Sequence, residues 1–131
     1  MKLKWFAIGF AIFILGIIIL ADLGYLRFLL RIVSRVEYLD KVLHFLLIGT
    51  LTFLVTGALI QTFSAFIKPD WLALITVIFF LVVFTIEEVS QIPIRGRDFS
   101  FKDLAANYAG ILVFGFAAWW IYSRKKEVLS K

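Results

Sequence analysis

Residues 87–110 read EEVSQIPIRGRDFSFKDLAANYAG and form a polar seam between two long apolar runs. Glu87, Glu88 and Gln91 close the first run, Arg95, Arg97 and Asp98 fill the gap, and Asp103 and Asn107 open the second. A solvated loop between two membrane helices accounts well for Arg95 and Asp98. It accounts less well for Glu88, Gln91, Asp103 and Asn107, which lie within apolar segments. Ionisable groups are expensive at the edge of a hydrocarbon layer, so a cluster there marks a candidate functional site.

The rest of the chain supports the membrane setting. Its 131 residues make room for one domain, and 63% of them are hydrophobic. Soluble domains carry roughly 45–50% apolar residues, and one this small has too little interior to hide the excess. The mean hydropathy of +1.00 gives the same class, an integral membrane protein. The formal net charge of +5 fits membrane topology and anionic headgroups. No basic stripe carries interleaved aromatics, so nucleic acid is not an expected partner. Cysteine is absent, which excludes disulfides, thiolate nucleophiles and thiolate metal sites. No internal repeat or low-complexity segment stands out.

Outward from the seam, four apolar runs predict four membrane helices over about 5–21, 42–62, 71–91 and 104–122. Seventeen residues at about 1.5 Å each just span the hydrocarbon layer. The first run competes with a signal peptide. It is long for one, and Leu20-Ala21-Asp22 lacks a small-x-small cleavage site, so a retained helix is expected. Gly9 and Gly16 share one face of that helix, and packing within the bundle is the simplest account of them. Residues 23–39 are amphipathic. Arg27, Arg31 and Arg35 recur on one face with Ser34 and Tyr38, while Leu26, Leu29, Val33 and Val36 lie opposite. That pattern suits a helix lying in the interface, or a connecting helix packed on its neighbours. The fold class is therefore all-α: a four-helix transmembrane bundle with an interfacial amphipathic helix between helices 1 and 2.

Alternating spans bring the start of the second run, the end of the third and the start of the fourth to one membrane face. Asp40 is expected at a helix N-terminus, as cap or dipole partner, with Lys41 and His44 on the same face. These three can meet Glu88, Gln91, Arg97, Asp103 and Asn107. Asp103, Asn107 and Gly110 follow i, i+4, i+7, and Glu88 and Gln91 follow i, i+3. Arg97 is expected to pair with Glu88 or Asp103, leaving His44 to titrate or to face a ligand. His44, Glu88 and Asp103 are the candidate acid–base groups. Asp40, Lys41, Gln91, Arg97 and Asn107 are the candidate ligand contacts. No metal site or cofactor is assigned. One His with carboxylates is a poor zinc set, and magnesium or manganese is the divalent cation such groups could hold.

Asp40-Lys41-Val-Leu-His44-Phe45, then Glu88-Val-Ser-Gln91, then Arg97 and Asp103-Leu-Ala-Ala-Asn107-Tyr-Ala-Gly110 resemble the motifs of the VanZ-like family in order and spacing. The resemblance covers most of the chain. One departure is Ile48, where many members carry an aromatic residue after the His-Phe pair. The resemblance implies a bacterial inner-membrane protein. The family's namesake is linked to low-level resistance to the glycopeptide teicoplanin, and the family has no established biochemical mechanism.

Three functions follow as expectations. The first is an outer-leaflet protein that alters how a glycopeptide or a lipid-linked cell-wall precursor engages the membrane, with membrane lipids as partners. The second is a membrane-embedded enzyme acting on a lipid-linked phosphate or sugar headgroup through His44 with Glu88 or Asp103. The third is a structural subunit whose polar cluster locks the helices together. A channel or transporter is disfavoured because no polar stripe runs through the whole bilayer. Lysine and arginine tie at seven on each side, so the positive-inside rule leaves the orientation open. The terminal lysines, which have no site to serve, favour cytoplasmic termini. Oligomeric state is not legible.

Overall fold

The computed structural model describes residues 2–35, 39–93 and 101–130, with backbone alone at Leu30, Ser34 and 125–130. These residues form five helices: α1 (Lys2–Asp22), α2 (Arg27–Arg35), α3 (Leu39–Phe63), α4 (Pro69–Ser90) and α5 (Phe101–Ser130). Four of them, α1, α3, α4 and the Phe101–Arg124 part of α5, are long and apolar enough to cross a membrane. No strand occurs among the described residues. The architecture is that of an all-α, multi-pass membrane protein.

Most helices run a few residues past the apolar runs, taking in Lys2, Lys4, Lys41, Lys102 and Arg124, residue types a helix accepts readily. Asp40 sits in the first turn of α3, where a carboxylate complements the helix dipole. Pro69 opens α4, where its missing N–H costs nothing, and Gln91 closes it. Past Tyr122, α5 continues through Arg124 and the lysines that follow, none of which interrupts a helix.

Gly24 turns the chain from α1 to α2. Its φ is +90°, a conformation glycine adopts without steric penalty. Tyr25 N–H donates to Leu20 O at 3.0 Å and Gly24 N–H to Ala21 O at 3.1 Å, the paired bonds of a Schellman cap.

The centre of the bundle is α3, which packs against α5, α4 and α1. Small residues bring α3 and α5 together. A Cβ on Gly110 would stand 2.6 Å from the Phe45 carbonyl oxygen, so backbone touches backbone there. Gly49 takes the Phe114 ring in the same way, and Phe45 meets that ring edge-on at 5.5 Å between centroids. Close approach at glycine is how membrane helices gain packing without a hydrophobic driving force between them. Ile14, Ile48, Leu51, Phe80, Phe84 and Ile111 form the buried core. Buried Thr52 and Thr76 turn their hydroxyls back onto the carbonyls of Ile48 and Leu72 at 2.8 and 2.7 Å, so neither leaves a donor unmatched. Thr85 donates to Leu81 O and accepts from the Tyr108 hydroxyl, tying α4 to α5.

The outward faces of the long helices are apolar; Ile78, Phe79, Val82 and Ile86 of α4 are each more than half exposed. Such a surface suits hydrocarbon and not water. Gly9 and Gly16 belong to that outer surface. An added Cβ at either position meets nothing within 4 Å, so the expected packing of this glycine face inside the bundle does not occur. At the end of the bundle away from the polar seam, Trp119 Nε1 donates to Asp70 Oδ1 at 2.7 Å and Arg124 stacks over Trp120 at 4.6 Å. These contacts fix where α5 leaves the apolar layer.

The three arginines of α2 are exposed, while Leu26, Leu29 and Val33 turn toward α1 and α3. The helix is amphipathic, although Phe28, Leu29 and Ile32 are exposed along with its arginines. Changing Arg27, Arg31 and Arg35 together to glutamine should leave the helical content of the bundle intact and reduce co-purification of anionic lipid. Each charge near an anionic surface contributes on the order of 1 kcal/mol. Unchanged anionic lipid in the purified triple variant would refute that role. The expected contributions of Val36 and Tyr38 to this helix lie outside the described residues.

Candidate functional site

The polar residues of the seam meet those of α3 through helix register. Spans α3 and α5 run parallel, with their first turns at the same end. Along this contact Asp103 meets Lys41, Asn107 meets His44, and Gly110 packs on the backbone between Phe45 and Gly49. The i, i+4, i+7 pattern of α5 is therefore one continuous helix–helix contact, polar at the membrane surface and close-packed one turn deeper.

At the surface end Lys41 is shared between two carboxylates. Its Nζ lies 2.5 Å from Asp40 Oδ2 and 3.0 Å from Asp103 Oδ1. One ammonium thus occupies the space between the acidic groups. Both partners are only partly shielded from solvent, which moderates the energetic weight of the pair. The other Asp103 oxygen, Oδ2, lies 3.9 Å from His44 Nε2. That is beyond hydrogen-bond length and within reach of an ion pair if the ring is protonated.

His44 Nδ1 lies 2.9 Å from Asn107 Oδ1. An amide oxygen only accepts, so with this amide orientation Nδ1 carries the proton and donates. Nε2 is then the ring nitrogen that faces Asp103, able to accept or, in the cationic ring, to donate. Asn107 is completely buried, and its Nδ2 has no hydrogen-bond partner among the described residues.

The end of α4 brings Glu87, Glu88 and Gln91. Glu88 is fully buried and Gln91 nearly so, as their shared helix face requires. The Gln91 amide donates to Glu87 Oε1 at 2.6 Å. Glu87 is the site residue that sequence reasoning left out of the candidate set. Its i, i+4 relation to Gln91 is the signal that could have found it. Arg97, with Arg95 and Asp98, lies outside the described residues. The Asp103 carboxylate expected to take Arg97 has Lys41 against it.

Asp40, His44, Glu87 and Asn107 also line a half-open, mostly apolar groove of about 380 Å³, whose other lining residues come from α1, α2, α3, Leu26 and Phe84 of α4. Nothing in the sequence patterns pointed to this groove, because its apolar walls come from four helices whose apolar faces each read as ordinary packing. Among the described residues, no three His, Cys, Asp or Glu side chains converge as a metal-binding group.

Chemically, the cluster offers carboxylate acceptors, one shared ammonium, and an imidazole oriented by an amide. No protein-family model, curated protein or solved structure matches the chain.

Proposed function

We propose that the protein is a VanZ-like component of a bacterial inner membrane whose polar cluster recognises a lipid or lipid-linked cell-wall headgroup at the outer leaflet. Occupying or altering that headgroup's surroundings would lower engagement by teicoplanin. The observation that carries this reading is the convergence of Asp40, Lys41, His44, Asp103 and Asn107 from two helices remote in sequence. A network that only held helices together would gain little, because desolvation offsets most of the attraction between paired charges. Carboxylates, an amide and an imidazole together suit a headgroup bearing hydroxyl or amine donors and phosphate or carbonyl acceptors.

A membrane-embedded acid–base enzyme is the second reading. The arrangement of His44, held by Asn107 at Nδ1 and turned toward Asp103 at Nε2, favours it. Recognition stands ahead of it because the Asp103 carboxylate has the Lys41 ammonium at 3.0 Å and lies 3.9 Å from His44 Nε2, beyond hydrogen-bond length.

The test expresses wild type and the conservative variants His44→Gln, Glu88→Gln and Asp103→Asn in a teicoplanin-sensitive host. Wild type should reduce binding of fluorescent teicoplanin to intact cells, and each variant should lose that effect while reaching the membrane in equal amount. Stable variants that still protect would defeat the reading. Turnover of a lipid-linked precursor by the purified protein would transfer the case to the enzyme.

The same reading requires the seam to face outward, with the termini in the cytoplasm. The chain has no cysteine, so single cysteines report without background. A cysteine replacing Ser100 should react with a membrane-impermeant maleimide in intact cells, and one replacing Ser130 should react only after lysis. The opposite pattern reverses the orientation.

A further inference from the structure

The groove that ends at His44 extends well beyond what a headgroup contact needs. Its volume of about 380 Å³ is that of a small-molecule site. Apart from Asp40, His44, Glu87 and Asn107, every residue lining it is apolar. The polar four belong to the surface end of the bundle; Ile48 lies one helical turn deeper than His44 on α3. The space is thus graded, polar at the surface and hydrocarbon-like below.

Such a space within an apolar layer does not suit water, which would have no partners along most of its length. Its apolar lining comes chiefly from α1 and α3, with α2 adding Leu29 and Val33. On α2 the groove is lined by Val33 and by Leu29, which is itself about half exposed, while Arg27 and Arg31 are exposed and not part of its lining. A hydrocarbon-like space that ends at polar side chains is complementary to a molecule with a hydrocarbon body and a polar head, and the exposed arginines of the same helix α2 suit a head that carries a phosphate.

We infer that this groove holds one acyl chain of a membrane phospholipid, with the chain running past Ile17, Leu47 and Phe84 and the headgroup lying against Asp40 and His44. The inference rests on the headgroup recognition proposed above and adds its lipid class and its point of attachment. The phosphate lies at the level of the α2 arginines. Hydroxyls or amines of the headgroup donate to the carboxylates, and the imidazole supplies the remaining polar contact.

The experiment uses the full chain purified in detergent and exposed to mixed micelles of phosphatidylglycerol and phosphatidylcholine, with retained lipid counted by native mass spectrometry. Ile17→Trp and Leu29→Trp fill the groove from two different helices, so a folding fault in one does not decide the outcome. Ile12→Trp, on the exposed face of α1, is the control. Wild type and Ile12→Trp should retain one phosphatidylglycerol per chain, and both groove-filling variants should retain at least tenfold less. Equal retention by wild type and by both folded groove variants would overturn the groove assignment. Headgroup recognition fails separately. If wild type retains phosphatidylcholine as readily as phosphatidylglycerol, and the groove variants retain neither, the groove stands and the headgroup reading falls. A preference for phosphatidylglycerol that tryptophan at positions 17 and 29 leaves untouched keeps the headgroup reading and overturns the groove.

Discussion

Gly110→Ala is expected to lower the melting temperature of the detergent-purified protein by roughly 5 °C or more, and Gly110→Leu to prevent assembly. A Cβ at Gly110 would stand 2.6 Å from the Phe45 carbonyl oxygen and 3.2 Å from the Gly49 nitrogen. Both neighbours are backbone in the middle of α3, so neither can rotate away. Relief requires α3 and α5 to separate along the contact that also seats Asn107 against His44. Overpacking of a close-packed interior costs about 1–3 kcal/mol even where side chains can adjust, and here they cannot. Gly9→Ala and Gly16→Ala are the matched controls. An added methyl meets nothing at either position, and alanine is the better helix former by about 1 kcal/mol. These two variants should melt at or above the wild-type temperature. A Gly110→Ala protein that melts like wild type would show that α3 and α5 do not approach closely.

The contrast between these glycines shows what the sequence could reveal. Length and apolarity suffice for membrane helices, because the hydrocarbon layer sets both and demands nothing of the neighbours. The existence and order of α1, α3, α4 and α5 were therefore legible, as was the amphipathic character of α2. Helix ends were less so, since Asp40, Lys41 and Lys102 lie outside the apolar runs yet inside the helices. Which face of a membrane helix packs inward was not legible for α1, where both faces are apolar and Gly9 and Gly16 turn outward. On α5 it was, because polar side chains mark the inner face: Asp103 and Asn107 could face only α3 or a ligand. The same logic explains Glu88 and Gln91, buried at the end of α4. Pairings were less legible still. The partners of His44 and Lys41 depend on register between α3 and α5, which Gly110 and Gly49 set by contact rather than by pattern.

Lys41 and Asp103 provide the measurement that separates a recognition site from a structural lock. Lys41→Leu leaves Asp40 and Asp103 as neighbouring carboxylates without the ammonium that lay 2.5 and 3.0 Å from them. Asp103→Leu leaves Lys41 with Asp40 still beside it, so it should destabilise less. Unpairing a fully buried charge costs about 3–5 kcal/mol, and the partial exposure of this pair reduces that to the order of 1–3 kcal/mol for Lys41→Leu. The double variant removes both charges together and should recover most of the lost stability, since two apolar side chains facing each other need no pairing. Headgroup discrimination should behave differently. A hydrogen bond to a charged group contributes about 1.5–3 kcal/mol, so each variant, the double included, should lose about 10- to 100-fold in preference for its lipid. If the cluster only locks the helices, discrimination and stability must return together in the double variant. Recovery of the melting temperature without recovery of discrimination assigns the pair to the ligand.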